Sequence, residues 1–170
     1  MKFIVKSAAA AALVLAAVGA QAQLYGEVGY SAVNVDADGT DVNLGALTGI
    51  IGYGVHPNLA VEGMLAVGVQ DDKVGGVKVE LEHAYGVFAK PRVMLSPNFE
   101  LFGRLGYVES KLKASVPGDS LSDSDGDWAY GLGGNYYFNP NTYLSVNYLK
   151  FYDKDDVKAD GWTVGVGMKF

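Results

Sequence analysis

The sequence predicts an all-β fold: an eight-stranded antiparallel up-and-down β-barrel that spans a membrane and follows a cleaved signal peptide. Three features predict it. Apolar and polar residues alternate along most segments, as in strands with one apolar face. Short Pro-Asn turns alternate with longer polar connections, as in a meander. The chain also contains 23 glycines and 11 tyrosines, which suit a barrel with bends and aromatic belts.

Residues 1–22 have the order of a secretory signal peptide. A basic start precedes an apolar, alanine-rich run, and Ala20 and Ala22 occupy the small positions of a cleavage site. The run is shorter than the roughly 20 residues that a spanning helix needs. We therefore expect residues 1–22 to be removed during export through the inner membrane and residues 23–170 to form the barrel.

The charge of the mature chain excludes one class of partner. Cleavage would leave 11 basic against 19 acidic residues, a net charge of −8. Nucleic acid binding needs a basic surface for the phosphates, so we expect no nucleic acid partner. We also expect no cofactor.

Turn signals divide the barrel into strands. Proline pre-sets the backbone of the first central turn position, and asparagine suits the next one. Three short turns share this core: His56-Pro57-Asn58, Ser96-Pro97-Asn98 and Asn139-Pro140-Asn141. Four longer polar connections alternate with them, near residues 36–41, 71–76, 114–126 and 153–161. This arrangement predicts eight strands with both termini on the tight-turn side, the periplasm.

The first four predicted strands occupy residues 24–35, 42–55, 59–70 and 77–95. The first begins after the signal and ends at an acidic connection. The second is apolar on both faces, so its pattern does not assign them. The third alternates, with Val61 and Leu65 on the face opposite Glu62. The fourth runs from the second long connection to the turn at Pro97.

The last four predicted strands occupy residues 99–113, 127–138, 143–152 and 161–170. In the fifth, Leu101 and Leu105 share the face opposite Arg104. In the sixth, aromatic residues alternate with small and polar ones. The seventh lies between a tight turn and a long connection. The eighth alternates strictly, with apolar residues at Trp162, Val164, Val166, Met168 and Phe170.

Alternation alone does not say which face meets lipid, since a soluble lipocalin-type barrel would turn its apolar face inward. Two aromatic belts favour the apolar face outward, because aromatic side chains collect at both lipid–water interfaces. The turn-side belt comprises Tyr53, Phe99, Phe138, Tyr143 and Phe170. The loop-side belt comprises Tyr30, Tyr107, Trp128, Tyr152 and Trp162. We expect four charges on the polar faces to lie inside the barrel: Glu27, Glu62, Lys90 and Arg104.

With its alternating last strand, tight turns and aromatic belts, the chain resembles the small eight-stranded outer-membrane β-barrel family, the group of OmpX and the OmpA membrane domain. The resemblance covers Gln23–Phe170 and implies the outer membrane of a Gram-negative bacterium. It implies that periplasmic chaperones and the barrel-assembly machinery handle the chain, and that the machinery reads the apolar residues of the last strand, ending at Phe170. The other implied partners are outer-membrane lipid and lipopolysaccharide, and we expect a monomer.

The strand number limits function. Eight strands close around a lumen that side chains fill, whereas open aqueous channels need about 16–18 strands. We therefore expect a structural, surface-display role with four acidic loops outside the cell. Two alternatives remain: a narrow ion or small-solute channel gated by the interior charges, and a surface adhesin. A satisfied structural network is the simpler interpretation of the charges, because buried charges must be paired.

A lipid A-modifying enzyme is the less favoured alternative. Such barrels use a histidine with a serine and an acid, and His83 and Ser110 are the candidates here. Pairing the fourth and fifth strands about their turn places His83 opposite Lys111 and Ser110 opposite Ala84. The two side chains then point to opposite faces and cannot form the bond between nucleophile and base. We expect no catalytic site.

The acidic connections contain pieces of calcium-binding sequence. Asp36–Gly39 and Asp123–Asp127 supply carboxylate oxygens that suit Ca²⁺. Neither segment has the twelve-residue ligand set with a final glutamate. We therefore predict a solvated acidic rim and no metal site.

Overall fold

The computed structural model describes residues 24–37, 40–70, 72–74, 77–116, 119–154 and 157–170. The predicted signal peptide, with Ala20 and Ala22, lies outside these ranges. Within them all regular secondary structure is β-strand. Among the described residues no helix is long and apolar enough to cross a membrane.

The described ranges form nine strands, of which β3 and β4 together make one strand of the barrel wall. Both pair with the same neighbour, β5, and follow each other along it. In chain order the strands are β1 (Leu24–Ala37), β2 (Thr40–His56), β3 (Leu59–Gln70), β4 (Asp72–Val74), β5 (Val77–Ser96), β6 (Phe99–Val116), β7 (Asp119–Tyr137), β8 (Thr142–Lys154) and β9 (Val157–Lys169).

Antiparallel pairing closes the wall into a ring. Each wall strand pairs with its neighbours along the chain, and β1 pairs with β9 to complete the circle. A closed ring satisfies the backbone hydrogen bonds that lipid cannot satisfy. The structure thus confirms the eight-stranded antiparallel up-and-down barrel.

The apolar face points outward, as the aromatic belts predict. Ile51, Leu105 and Leu132 expose 64%, 53% and 70% of their surface, as expected of the lipid-facing band of a transmembrane barrel. The structure also assigns the second strand, which the pattern leaves open. Leu47 and Ile51 face outward, whereas Ile50 is buried in the lumen. This strand is apolar on both faces because its inner face contributes to an apolar layer inside the barrel.

The prediction of a long polar connection over residues 114–126 is wrong. β6 continues to Val116 and β7 begins at Asp119, and these two residues are register partners. The first hairpin likewise pairs up to Ala37 and Thr40. Once a ladder has formed in the barrel, each added residue pair extends it with further backbone hydrogen bonds. These outweigh the weak strand propensity of Asp, Ser and Gly.

The placement of Tyr143 in the turn-side belt is also wrong. Tyr143 is buried, because the inward side of β8 carries Tyr143, Ser145, Asn147 and Leu149. Tyr53 is partly exposed, and the side chain of Tyr152 lies outside the described residues. The other belt residues are exposed on the outer face: Phe99, Phe138, Phe170, Tyr30, Tyr107, Trp128 and Trp162.

Candidate functional site

The interior of the barrel is the candidate site, and the four charges named from the sequence lie there. Glu27 comes from β1, Glu62 from β3, Lys90 from β5 and Arg104 from β6. None exposes more than 6% of its surface. Each occupies an inward position of its strand, since side chains alternate between lumen and lipid. Pairing of β3 with β5, and of β5 with β6, brings three of these positions together.

Glu62 is the centre of this arrangement. Arg104 Nε donates to Glu62 Oε2 at 2.6 Å, and Arg104 Nη2 donates to Oε1 at 3.2 Å. Lys90 Nζ lies 3.1 Å from Oε1. The Tyr25 hydroxyl donates to the same oxygen at 2.6 Å. Two-point contact between guanidinium and carboxylate fixes orientation as well as charge.

Glu27 completes the arrangement. Arg104 Nη2 lies 3.5 Å from both Glu27 carboxylate oxygens, and the Tyr143 hydroxyl donates to Oε2 at 3.4 Å. Arg104 therefore bridges two carboxylates, while Lys90 supplies a second positive charge. The set Glu27, Glu62, Lys90 and Arg104, called here the lumen ion network, has no net charge. A neutral network avoids the large cost of an unpaired buried ion.

Aromatic residues that the sequence reasoning did not assign to the site support both cations. Lys90 Nζ lies 4.1 Å from the centre of the Phe102 ring, and the Arg104 guanidinium carbon lies 4.8 Å from it. Lys90 Nζ also lies 5.0 Å from the Tyr25 ring. Cations over ring faces gain further attraction. Strand periodicity could have identified them, because Phe102 and Tyr25 each precede a network residue by two positions and so share its inward face.

The tight-turn end of the lumen is closed by a second polar cluster and an aromatic layer. Glu100 accepts from Asn135 Nδ2 at 2.9 Å and from the Tyr137 hydroxyl at 3.2 Å. Arg92 Nη1 lies 3.9 Å from the same carboxylate. The buried layer beside it consists of Tyr25, Ala60, Tyr137 and Tyr143.

On the loop side of the network the lumen is filled by apolar side chains. This apolar layer consists of Ala46, Ile50, Met64, Ala66, Ala84, Phe88, Val108, Ala129 and Leu149. Six strands (β2, β3, β5, β6, β7 and β8) supply these side chains, so the layer reaches across the lumen. Apolar constrictions close a pore by expelling water from it, so this layer favours a closed lumen.

Several polar atoms in the lumen have no hydrogen-bond partner within the described part of the chain. They are Arg104 Nη1, Asn135 Oδ1, Ser145 Oγ, and Nδ2 and Oδ1 of Asn147. Asn135 and Ser145 are register partners on β7 and β8. Buried polar groups in folded proteins are satisfied by protein or by ordered water, so these atoms of β6, β7 and β8 give one side of the lumen hydrogen-bonding capacity that the lumen ion network does not use.

The predicted separation of the catalytic candidates is confirmed. His83 pairs with Lys111, and Ser110 pairs with Ala84, so His83 and Ser110 point to opposite faces despite a bulge between Leu81 and His83. Among the described side chains, no three carboxylates or histidines form a metal-binding group. The side chains of Asp38 and of residues 123–125, which carry the calcium-loop hypothesis, lie outside the description.

Comparison with known proteins agrees with the barrel fold. The family model of the outer membrane protein beta-barrel domain matches residues 7–170. The attachment invasion locus protein of Yersinia enterocolitica is 33% identical over 86 residues, which is 51% of this chain and 48% of that protein. The match thus spans about half the length of this curated relative, and the same holds for its counterpart in Yersinia pseudotuberculosis.

Solved structures agree over nearly the whole barrel. The crystal structure of Ail of Yersinia pestis has a TM-score of 0.70 and 27% sequence identity, covering 89% of this chain and 100% of Ail. Neisserial surface protein A has a TM-score of 0.76 at 14% identity, with the same coverage, and shows the fold alone. The chain belongs to the outer membrane protein β-barrel domain family and resides in the outer membrane.

Proposed function

We propose that the protein is a closed barrel that presents its loop-end hairpins as a contact surface outside the cell. The observation that carries this proposal is the filling of the lumen at two levels. The neutral lumen ion network occupies one level and the apolar layer the next. A filled lumen leaves the outer surface as the part of the molecule that can act.

The hairpins supply that surface. The β6–β7 ladder continues for nine residue pairs beyond Tyr107 and Trp128, which are partners in the loop-side belt. At about 3.4 Å per residue this is about 30 Å of strand above the lipid boundary. If the hairpin served only to connect β6 and β7, a short turn at the lipid boundary would be enough. A ladder of this length supports a role in contact.

The names of relatives also support a contact role. The charge of this chain indicates which kind of partner surface it can bind. Two relatives are called attachment invasion locus proteins, and Ail of Yersinia pestis has been crystallised with the heparin analogue sucrose octasulfate. This chain is acidic, with a sequence pI of about 4.8. Like charges across an interface disfavour association, so we propose a neutral or basic partner surface rather than a polyanion.

Adhesion of a non-adherent bacterium that displays the protein tests this proposal. The matched variant replaces residues 110–125 by a two-residue Asn-Gly turn and keeps the belt pair Tyr107 and Trp128. We expect the wild type to bind surfaces coated with basic protein and the shortened variant to lose binding. Heat-modifiable mobility on gels checks that both barrels are folded. Equal adhesion by the two would refute the hairpin role.

Narrow conduction is a second candidate, and the unpartnered polar atoms of the lumen, among them Arg104 Nη1, favour it. Water at these atoms would give the lumen ion network room to rearrange. Planar-bilayer recording of the wild type and of Arg104→Ala separates the two functions. The closed-barrel proposal predicts no discrete openings in the wild type. Openings in the wild type that change in the variant would favour the gated channel.

We propose that the protein has no enzymatic activity. The relatives named above are not enzymes by name, and the register of β5 and β6 supports the absence of a His83–Ser110 pair. Lipid A from cells that overproduce the protein should therefore give an unchanged mass spectrum. A new lipid A species that disappears in His83→Ala would contradict this.

We further propose that the outward stripe of β9 is the assembly signal. Trp162, Val164, Val166, Met168 and Phe170 are all about half exposed or more, and β9 is the strand that closes the ring against β1. The Phe170 backbone N–H donates to the Leu24 carbonyl at 2.9 Å. A receptor that holds this stripe would guide the closing step, in keeping with recognition by the barrel-assembly machinery.

A further inference from the structure

A groove opens on the outer face of the barrel where β9, β1 and β2 lie side by side. Its floor is a cross-strand row in which Ala32 lies between its register partners Trp162 and Gly45. The small residues in the middle keep the floor low between aromatic walls. The groove has a volume of about 440 Å³, within the range of about 300–1,000 Å³ typical of small-molecule sites.

Aromatic rings stand on both sides of this floor. On one side the rings of Tyr148 and Trp162 lie 5.1 Å apart, tilted by 53°. On the other side Tyr30 crosses over Gly45, and its hydroxyl donates to Gln70 Oε1 at 3.0 Å. A side chain at position 45 would collide with the Tyr30 ring. The negative face of such rings attracts weakly positive C–H groups, which line the face of a sugar ring.

A polar row lies next to the floor on the loop side. Asn34 is there the register partner of both Asp160 and Asn43. The Tyr148 hydroxyl donates to Asp160 Oδ2 at 2.6 Å. Amide side chains donate and accept, and a carboxylate accepts, so the row can bond with hydroxyls that do both. Of the described residues that line the groove, Asp160 alone is charged, which disfavours a phosphate and favours a neutral, hydroxyl-rich ring.

The height of the groove defines the kind of molecule that carries this ring. Just below the floor lie Val164 and Leu47, the register partners of the wall residue Tyr30, and both are exposed in the lipid-facing wall. Just above it the charged partners Asp36 and Lys158 are exposed. A ligand in the groove therefore has one part among acyl chains and another in water. A glycolipid has that division, whereas a free sugar lacks the acyl part and a phospholipid lacks the ring.

We infer that this groove binds a sugar ring of an outer-leaflet glycolipid. The rings of Trp162 and Tyr148 pack against the face of the sugar, and the polar row bonds with its hydroxyls. The site lies on the barrel wall, apart from the β6–β7 ladder. An experiment that refutes sugar binding in the groove would therefore leave the proposed contact function unaffected.

The two tryptophans of the chain give this inference an internal control. Trp162 lines the groove, whereas Trp128 lies in the same belt beside Tyr107, with ring centres 6.2 Å apart, and does not line it. The experiment records the indole N–H signals of ¹⁵N-labelled protein in nanodiscs. Three samples are compared: nanodiscs with lipopolysaccharide, nanodiscs with phosphatidylglycerol at equal charge, and phospholipid nanodiscs with free chitobiose.

We expect only lipopolysaccharide to shift the Trp162 signal, with Trp128 unchanged. Asn34→Leu should weaken the titration roughly three- to tenfold, the effect of losing one favourable polar or stacking contact, and Trp128→Leu should not. An intact pattern of amide signals verifies the fold of each variant. Equal shifts at both tryptophans, or the same shift with phosphatidylglycerol, would overturn the sugar site. A shift with chitobiose alone would overturn the glycolipid as its source.

Discussion

Glu62→Gln removes one charge from the centre of the lumen ion network and keeps the shape of the side chain. The carboxylate contacts Arg104, Lys90 and Tyr25 at 2.6–3.2 Å. A single pair 3.1 Å apart attracts by about 5 kcal/mol at an effective dielectric constant of about 20, and desolvation opposes part of this. Breaking a buried pair costs about 3–5 kcal/mol, because the remaining charges stay buried. We expect the free energy of unfolding to fall by about this amount.

Urea unfolding in lipid vesicles, followed by tryptophan fluorescence, measures the change. With a slope of about 2 kcal/mol per molar urea, the midpoint should fall by about 2 M. Glu82→Gln is the matched control. Glu82 and Lys111 also lie 3.1 Å apart, but their side chains are 42% and 35% exposed. Water and salt screen exposed pairs, so we expect the control to leave the midpoint almost unchanged.

A double variant makes the test sharper. Within the lumen ion network, loss of Glu62 leaves two cations, Lys90 and Arg104, with one carboxylate, Glu27, an excess of positive charge. Adding Lys90→Met removes that excess, so the double variant should be more stable than the sum of the two single losses predicts. Additive losses would refute the network, as would equal midpoints for Glu62→Gln and Glu82→Gln.

Three further changes test other parts of the barrel. A Cβ at Gly167 would meet a buried tyrosine ring, whereas one at Gly63 meets nothing within 4 Å; Gly167→Ala should therefore cost about 1–3 kcal/mol in urea unfolding, and Gly63→Ala little. Deletion of Phe170 should slow assembly, and unchanged outer-membrane levels on immunoblots would contradict this. A hydrogen bond from Lys111 lowers the pKa of Glu82. Because the pair is exposed, its stabilisation at neutral pH is too small to move the urea midpoint, and it is lost as pH falls through that pKa; Lys111→Met should raise the pKa of Glu82 in an NMR titration.

The fold could be predicted from the sequence because it depends on a local pattern. Side chains alternate between two environments along every strand. The opposite faces of Leu105 and Arg104 can therefore be inferred without knowing which strands pair. Glycine, proline and asparagine mark the tight turns by their own backbone preferences. The ends of β6 and β7 were less predictable, since a ladder stabilises residues that would not form strands alone.

The interior was predictable only in part. Charged side chains on a polar face stand out, which is why Glu62 and Arg104 could be named. The apolar layer could not be separated from the lipid-facing wall, because Ile50 looks like Ile51 in a sequence. Tyr143 was misplaced for the same reason. Which side chains meet across the lumen depends on the tilt and register of all the strands, and no short segment contains that information.

The origin of the lumen ion network bears on the order in which the barrel folds. All four of its charges come from the first five wall strands, between Glu27 and Arg104. A half-built barrel of these strands can neutralise its own charges before β7, β8 and β9 are added. Pulsed hydrogen exchange during insertion would show this order if β3, β5 and β6 gain protection before β1 and β9 pair. The closing strand would then enclose charges that are already paired, and no unpaired charge would be exposed to the lipid during closure.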